Sequence, residues 1–168
     1  MANIIEMENV RIFRKNFRGL ERRNPKTGEI VNAEGQRNFC VMIDDPEEAQ
    51  RMADDGLNIK ILAPQNEGDE PKHYLPVTVR YDNFPPKIYM IMGHKKVLLD
   101  EEMLDGEDSP DVNDIDNVDV IINLSNWTRN GASGIKAYVK TMYITYRQDS
   151  FASKYDYDDP ADMGELPF

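Results

Sequence analysis

The run VDVIINLSNW, residues 118–127, followed by TRNGASG and then by IKAYVKTMYITYR, residues 135–147, decides the fold. Both outer runs are rich in β-branched and aromatic residues, which fit a pleated, half-buried surface. Between them, Arg129 to Gly134 carries the Asn and Gly residues of a turn. The stretch therefore predicts two strands, Val118–Trp127 and Ile135–Arg147, that pair with each other. Period-two alternation in the second puts Lys136, Tyr138 and Lys140 on one face.

Working outward, Ile4–Phe13 alternates loosely and reads as a strand. Lys15–Gln36 is basic and polar, contains the turn residues Asn24, Pro25 and Gly28, and reads as a long hairpin loop. Asn38–Ile43 is a further strand. Asp44 and Asp45 suit an N-cap, Pro46 suits the first turn, and Glu47 and Glu48 favour the positive end, so a short helix is expected over Pro46–Asp55, closed by Gly56. Leu57–Leu62 and Tyr74–Tyr81 read as strands, with Pro76 demoting part of the second to an edge. Lys87–Met92 and Lys96–Leu99 form a hairpin across residues 93–95. Asp100–Asp119 reads as an acidic insertion, largely loop, with room for a helical turn at Glu101–Leu104. One clear helix cannot supply the crossovers of a parallel α/β fold. The expected class is mainly β: an OB-type five-stranded Greek-key barrel with an added hairpin, one short helix and a disordered acidic tail. The barrel domain would span residues 1–148, with the acidic insertion at 100–117, and the tail residues 149–168.

The chain has 168 residues, enough for one domain, and a formal net charge of −11. That charge is unevenly spread. Asp100–Asp119 holds ten acidic residues and no Lys or Arg, and Asp149–Phe168 holds six acidic residues and one Lys, so the remainder is basic at +4. Such asymmetry points to acidic appendages on a body that binds a polyanion, although acidic stretches also serve solubility. The longest apolar runs are too short to span a bilayer, and MANIIEMENV lacks the order of a signal peptide. The single cysteine, Cys40, fits a reducing, cytoplasmic setting.

A single-strand groove needs cations for phosphates and exposed aromatics on which bases stack. The sequence interleaves the two. Arg11, Arg14, Lys15, Phe17 and Arg18 are the densest cluster, and Arg22 and Arg23 extend it. Arg80, Tyr81 and Phe84 repeat the theme, as do Lys87 and Tyr89, and Lys95 and Lys96 follow in the hairpin. Trp127 sits beside Arg129, and Lys136, Tyr138 and Lys140 complete the set. A strand aromatic is more often core than platform. Trp127 and Phe17, at strand ends among polar residues, are the favoured platforms.

Catalytic chemistry has little to stand on. His73 and His94 lack a Cys or second His at ligand spacing, and neither GxxxxGK[ST] nor GxGxxG occurs. DSPDVNDIDNVD, residues 108–119, offers clustered oxygen ligands but lacks the turn Gly and closing Glu of a calcium loop, so it reads as a solvated acidic loop. No enzyme activity, metal or cofactor is expected.

The chain closes on YDYDDPADMGELPF, residues 155–168. An acidic tail with an apolar tip resembles the single-stranded DNA-binding proteins of bacteria and their phages, and the strand order with basic–aromatic interleaving is similar to the divergent phage members. The resemblance implies an OB barrel that coats single-stranded DNA in replication or recombination, in the host cytoplasm. It also implies that the tail recruits replication proteins: a polymerase, a helicase or primase, or a recombinase. Phe168 would be the anchor, Leu166 and Pro167 its support, and Asp158, Asp159, Asp162 and Glu165 the steering charges. Met163 and Gly164 interrupt the acidity near the tip. No membrane partner is expected, and a homodimer is compatible with the sequence. Two other readings stay open: an adaptor that uses the tail as a docking peptide, and a metal-dependent nuclease built on Asp108–Asp119.

Overall fold

The structure is a computed structural model that describes residues 3–64, 66–82 and 85–147. In chain order the strands are β1 (Ile4–Met7), β2 (Ile12–Asn16), β3 (Arg22–Arg23), β4 (Ile30–Asn32), β5 (Arg37–Ile43), β6 (Lys60–Leu62), β7 (Lys72–Val79), β8 (Lys87–Met92), β9 (Lys95–Leu99), β10 (Ile115–Arg129) and β11 (Ala132–Tyr146). Helix α1 (Pro46–Asp54) lies between β5 and β6, and α2 (Glu101–Asp105) between β9 and β10.

The two runs around TRNGASG become the longest elements, β10 and β11, paired antiparallel from Ile115↔Tyr146 to Arg129↔Ala132. Their turn is shorter than expected. Asn130 and Gly131 have φ of 52° and 83°, the left-handed pair that a two-residue type I′ hairpin requires. Alternation buries Val118, Val120 and Ile122 of β10 against Met142 and Ile144 of β11, and Phe39, Val41, Leu75 and Val77 of β5 and β7 join the same core. Each such side chain contributes roughly 1.5–3 kcal/mol when fully buried.

The molecule is mainly β, as expected, but no closed five-stranded ring forms. Nine strands share one sheet with the path β1-β10-β11-β7-β5-β2, while β6 pairs with β7, and β8 pairs with β11 and β9. The ends of that path are consecutive in the chain rather than hydrogen-bonded to each other. Val10 N donates to Val118 O of β10 at 2.9 Å, and Met42 N of β5 donates to Arg11 O at 2.9 Å. One N-terminal segment therefore serves both edges. The single strand expected over Ile4–Phe13 breaks into β1 and β2 because Asn9 turns at φ 51° and gives its N–H to Asp119 Oδ1 at 2.8 Å.

Helix α1 forms as its caps direct: the Asp45 carboxylate accepts from Glu47 N at 3.0 Å, Pro46 opens the helix, and Ala49 and Met52 are buried. Strands β3 and β4 form a separate two-stranded hairpin within the loop expected over Lys15–Gln36. Pro76 lies in β7 opposite Cys40 of β5. On its other side β6 pairs no further than Tyr74 and β11 only at Thr78, so Pro76 sits at a locally edge-like position, where proline is tolerated in a sheet.

The acidic insertion is not the solvated loop expected. Leu104 and Ser109 are fully buried. The Asp111 carboxylate accepts from Phe17 N and Arg18 N, both at 2.9 Å, and Tyr146 Oη donates to Asp108 O at 2.8 Å. Asp105 accepts from Arg37 Nη1 at 2.8 Å. The segment packs against the start of the β2–β5 connection and is part of the body. The tail, residues 149–168, lies outside the described residues, as does Phe84.

Candidate nucleic-acid interface

The alternation that buries one face of β5, β7 and β11 turns a second set of side chains outward. Register brings these together: Asn38 opposite Thr78, Thr78 opposite Tyr138, Cys40 opposite both Phe13 and Pro76, and Met42 opposite Tyr74. At the β2 end of this face, Arg14 sits in a bulge with φ 50°. A left-handed non-glycine residue costs roughly 1–2 kcal/mol. The conformation sets the guanidinium 5.5 Å from the Phe13 ring and 5.3 Å from the Tyr74 ring, and Nη1 donates to Tyr74 Oη at 3.0 Å. Phe13 and Tyr74 meet edge to face at 5.2 Å.

At the other end, β10 and β11 project as an arm whose residues 125–133 are exposed. Trp127 stands opposite Gly134 on this arm and is 43 % exposed. A Cβ on Gly134 would lie 2.9 Å from the indole Cζ2, so only glycine lets the ring rest there. Lys136 follows on the same face, its Nζ 5.5 Å from the Tyr138 ring. Arg129 shares that face nearer the tip.

Between the arm and the rest of the sheet lie two adjoining hollows. One, about 420 Å³, is bounded by Trp127, Leu57, Pro76 and Gly134; the other, about 390 Å³, by Asn38, Arg80, Tyr81 and Tyr138. Thr78 and Lys136 line both. They open where β7 meets β11 through Thr78 and Tyr138 alone. A larger hollow, about 650 Å³, lies elsewhere, beside α1, and its Asp44, Asp69 and Glu70 give it the wrong charge for a polyanion.

A groove flanked by the β2–β5 connection and a β-ribbon arm is the oligonucleotide-binding side of OB-type folds. Residues 2–164 match the family model described as "Putative phage ssDNA-binding domain". The chain belongs to this phage ssDNA-binding family. Its fold is similar to that of the single-stranded DNA-binding protein from bacteriophage Enc34, with a TM-score of 0.52, 11 % identity and coverage of 97 % of this chain and 90 % of that one. The Enc34 protein in complex with ssDNA gives a TM-score of 0.53 at 13 % identity, covering 89 % of each chain. The single-stranded DNA-binding protein gp2.5 of bacteriophage T7 matches over 94 % of this chain and 98 % of its own, at 11 % identity and a TM-score of 0.44. No match was found among curated proteins.

In this family member the residues expected from sequence fall into groups. Arg14, Trp127, Arg129, Lys136 and Tyr138 lie along the outward face just described. Tyr81 lies at its edge, half-buried, and burial pushes its phenol up to about 12. Tyr89 stacks on Tyr143 at 5.1 Å with Lys96 Nζ 4.9 Å from its ring, further along the outward side of β11 and β8. Lys87 and Lys140 are exposed near this second patch, and Lys95 is half-buried in β9.

Others are drawn elsewhere. Phe17, a favoured platform, is 0 % exposed and stacks on Phe39 at 5.2 Å, so it belongs to the core and presents no face to a base. Lys15 Nζ donates to Pro110 O at 3.2 Å and Arg18 Nη2 to Gly106 O at 3.1 Å, which turns both toward the acidic segment. Arg11 pairs with Asp44 at 2.6 Å, Arg23 with Glu21 at 2.6 Å and Arg80 with Asp82 at 3.4 Å. Arg22 Nη2 donates to Lys15 O at 2.9 Å. Exposed pairs of this kind hold weakly and leave the cations able to exchange partners.

Tyr74, Tyr143 and Gly134 were not singled out in the sequence. Tyr143 belongs to the outward set of its strand, which alternation alone could have flagged, whereas Tyr74 is buried, with Arg14 over its ring. Gly134 falls in the stretch expected to be turn. Among the described residues, no group of three or more His, Cys, Asp or Glu side chains is placed to hold a metal ion, and no helix is long and apolar enough to cross a membrane.

Proposed function

We propose that the protein binds single-stranded DNA along the outward face of β2, β5, β7 and β11, without catalysis and without reading sequence. The observation that carries this is the alignment of Trp127, Lys136 and Tyr138 over two adjoining hollows, on the face that the sheet register continues to Arg14 and Phe13. Each stacked base contributes about 1–3 kcal/mol, whatever its identity. Lys136 and Arg129 follow the phosphates, and Arg14 joins them at the far end. Trp127 reports directly on the complex. Titration with oligo-dT at two salt concentrations is expected to quench its fluorescence and to show much weaker binding of duplex. Equal affinity for duplex and single strand would sink the proposal.

The acidic tail, through Phe168, recruits replication proteins in the host cytoplasm. This part rests on the sequence of residues 155–168 alone. A pull-down with the full chain and with a chain ending at residue 157 tests it. An adaptor role without DNA binding predicts recruitment but no salt-sensitive binding of oligo-dT. The nuclease reading rests on Asp108–Asp119, where the Asp111 carboxylate is held by the Phe17 and Arg18 amides and that of Asp119 by the Asn9 amide. Incubation of labelled single strands with Mg²⁺ is expected to leave them intact.

A further inference from the structure

Two exposed cations meet on the outward face without a carboxylate between them. Arg14, in the bulge of β2, lies over the buried Tyr74 ring. Lys60 of β6 stands directly opposite Tyr74 in the antiparallel register, and such pairs share a face. Both side chains are exposed, and among the described residues neither forms an ion pair. Cys40, half-buried on the same face, feels both: burial raises its thiol pKa, and the charges of Arg14 and Lys60 oppose that rise. Two like charges that reach one thiol also repel each other, and an anion between them relieves the repulsion.

Arg14 is also set in advance. Its left-handed backbone is strain of the kind that ligand clamps retain. The Phe13 and Tyr74 rings flank the guanidinium, and Nη1 is spent on Tyr74 Oη. Nε and Nη2 make no hydrogen bond among the described residues, and together they form an edge that takes a phosphate through two parallel N–H donors. We propose that Arg14 and Lys60 clamp one phosphodiester of the bound strand at the β2–β6 end of the outward face, with Tyr74 as the residue that positions Arg14. The proposal rests on the single-stranded DNA-binding reading and adds to it a contact, Lys60, and a role for Tyr74. The clamp also ends the track. Two positions further along β6, Leu62 borders the hollow that carries Asp44, Asp69 and Glu70, and these repel a phosphate.

The test measures oligo-dT affinity over a series of salt concentrations for the full chain and its variants. Lys60→Ala is expected to lower affinity about three- to tenfold and to flatten the log–log salt slope by ~0.7. Its thermal midpoint is expected to stay the same, because Lys60 is exposed. Lys60→Arg is expected to restore both affinity and slope. Tyr74→Phe keeps the ring and removes the hydroxyl that holds Arg14. It is expected to lower affinity about two- to fivefold in the parent and not at all in Arg14→Ala, since a residue that acts through another has no effect once that other is gone. An unchanged slope in Lys60→Ala would overturn the clamp. Equal losses from Tyr74→Phe in both backgrounds would overturn the positioning role. Lys136→Ala separates these outcomes from the wider reading: if it flattens the slope and Lys60→Ala does not, the strand binds this face without the clamp. Failure of the unmodified chain to bind oligo-dT would sink both.

Discussion

Gly134 lacks a side chain, and that lack holds the indole of Trp127 in place. In Gly134→Ala the new Cβ, 2.9 Å from the ring, must push it aside. The φ of Gly134 is not in the left-handed region, so the backbone itself tolerates alanine. We expect a shifted Trp127 emission and a loss of up to the stacking contribution of ~1–3 kcal/mol in oligo-dT affinity. Binding and emission identical to the parent would mean that the ring does not stack. Phe17 behaves in the opposite way. Phe17→Ala is expected to cost about 3–5 kcal/mol of unfolding free energy in urea denaturation, because the ring fills the core beside Phe39. Flanking charges at Arg14, Lys15 and Arg18 made Phe17 look exposed, and residue type alone does not say which way a ring points at a bulge. Tyr81 adds a pH dependence. Its pKa rises from 10.0 to about 12 on folding, so its contribution to stability is full below about 10 and is lost as pH rises through about 12. Phenolate absorbance should show Tyr81 ionising late together with Tyr146, whose phenol burial also pushes up, and early ionisation of every tyrosine would contradict the burial of Tyr81.

Elements that repeat a local pattern were legible. The β10–β11 pair, α1 with its Asp45 cap, and the β8–β9 hairpin all follow from alternation, capping and turn residues within a short window. The acidic segment was not, because its partners are distant: Asp111 binds amides 93 and 94 positions earlier in the chain. Composition registers its charge and cannot register those bonds. Its role is testable. Asp111→Ala removes two charge-assisted hydrogen bonds and is expected to destabilise the fold by about 1.5–3 kcal/mol, with faster amide exchange at Phe17 and Arg18. Loss of stability without faster exchange there would place the effect elsewhere. The outward face was half legible for a related reason. Lys136 and Tyr138 share a face by alternation within one strand, whereas Arg14 reaches Tyr74 only through the β2–β5–β7 register.

For the molecule as a whole, the polyanion-binding body and its acidic segments predict a steep response to salt. Single-strand affinity should fall with a log–log slope of about −0.7 per phosphate neutralised. If Arg14, Arg129, Lys136 and Lys140 all engage, the slope is about −3, and Lys136→Ala should flatten it by ~0.7. A slope near zero would remove the phosphate contacts from the picture. Mainly-β class, basic body and family resemblance were all readable in the sequence; the open path was not, since no local signal says that one segment serves both edges. That segment also orders events during synthesis. Residues 4–7 leave the ribosome long before Val120–Asn123, the part of β10 with which β1 pairs. Such long-range pairing places folding at the slow, millisecond-to-second end. While β10 is still being translated, Ile4–Met7 waits without a partner, so the strand made earliest is seated among the last.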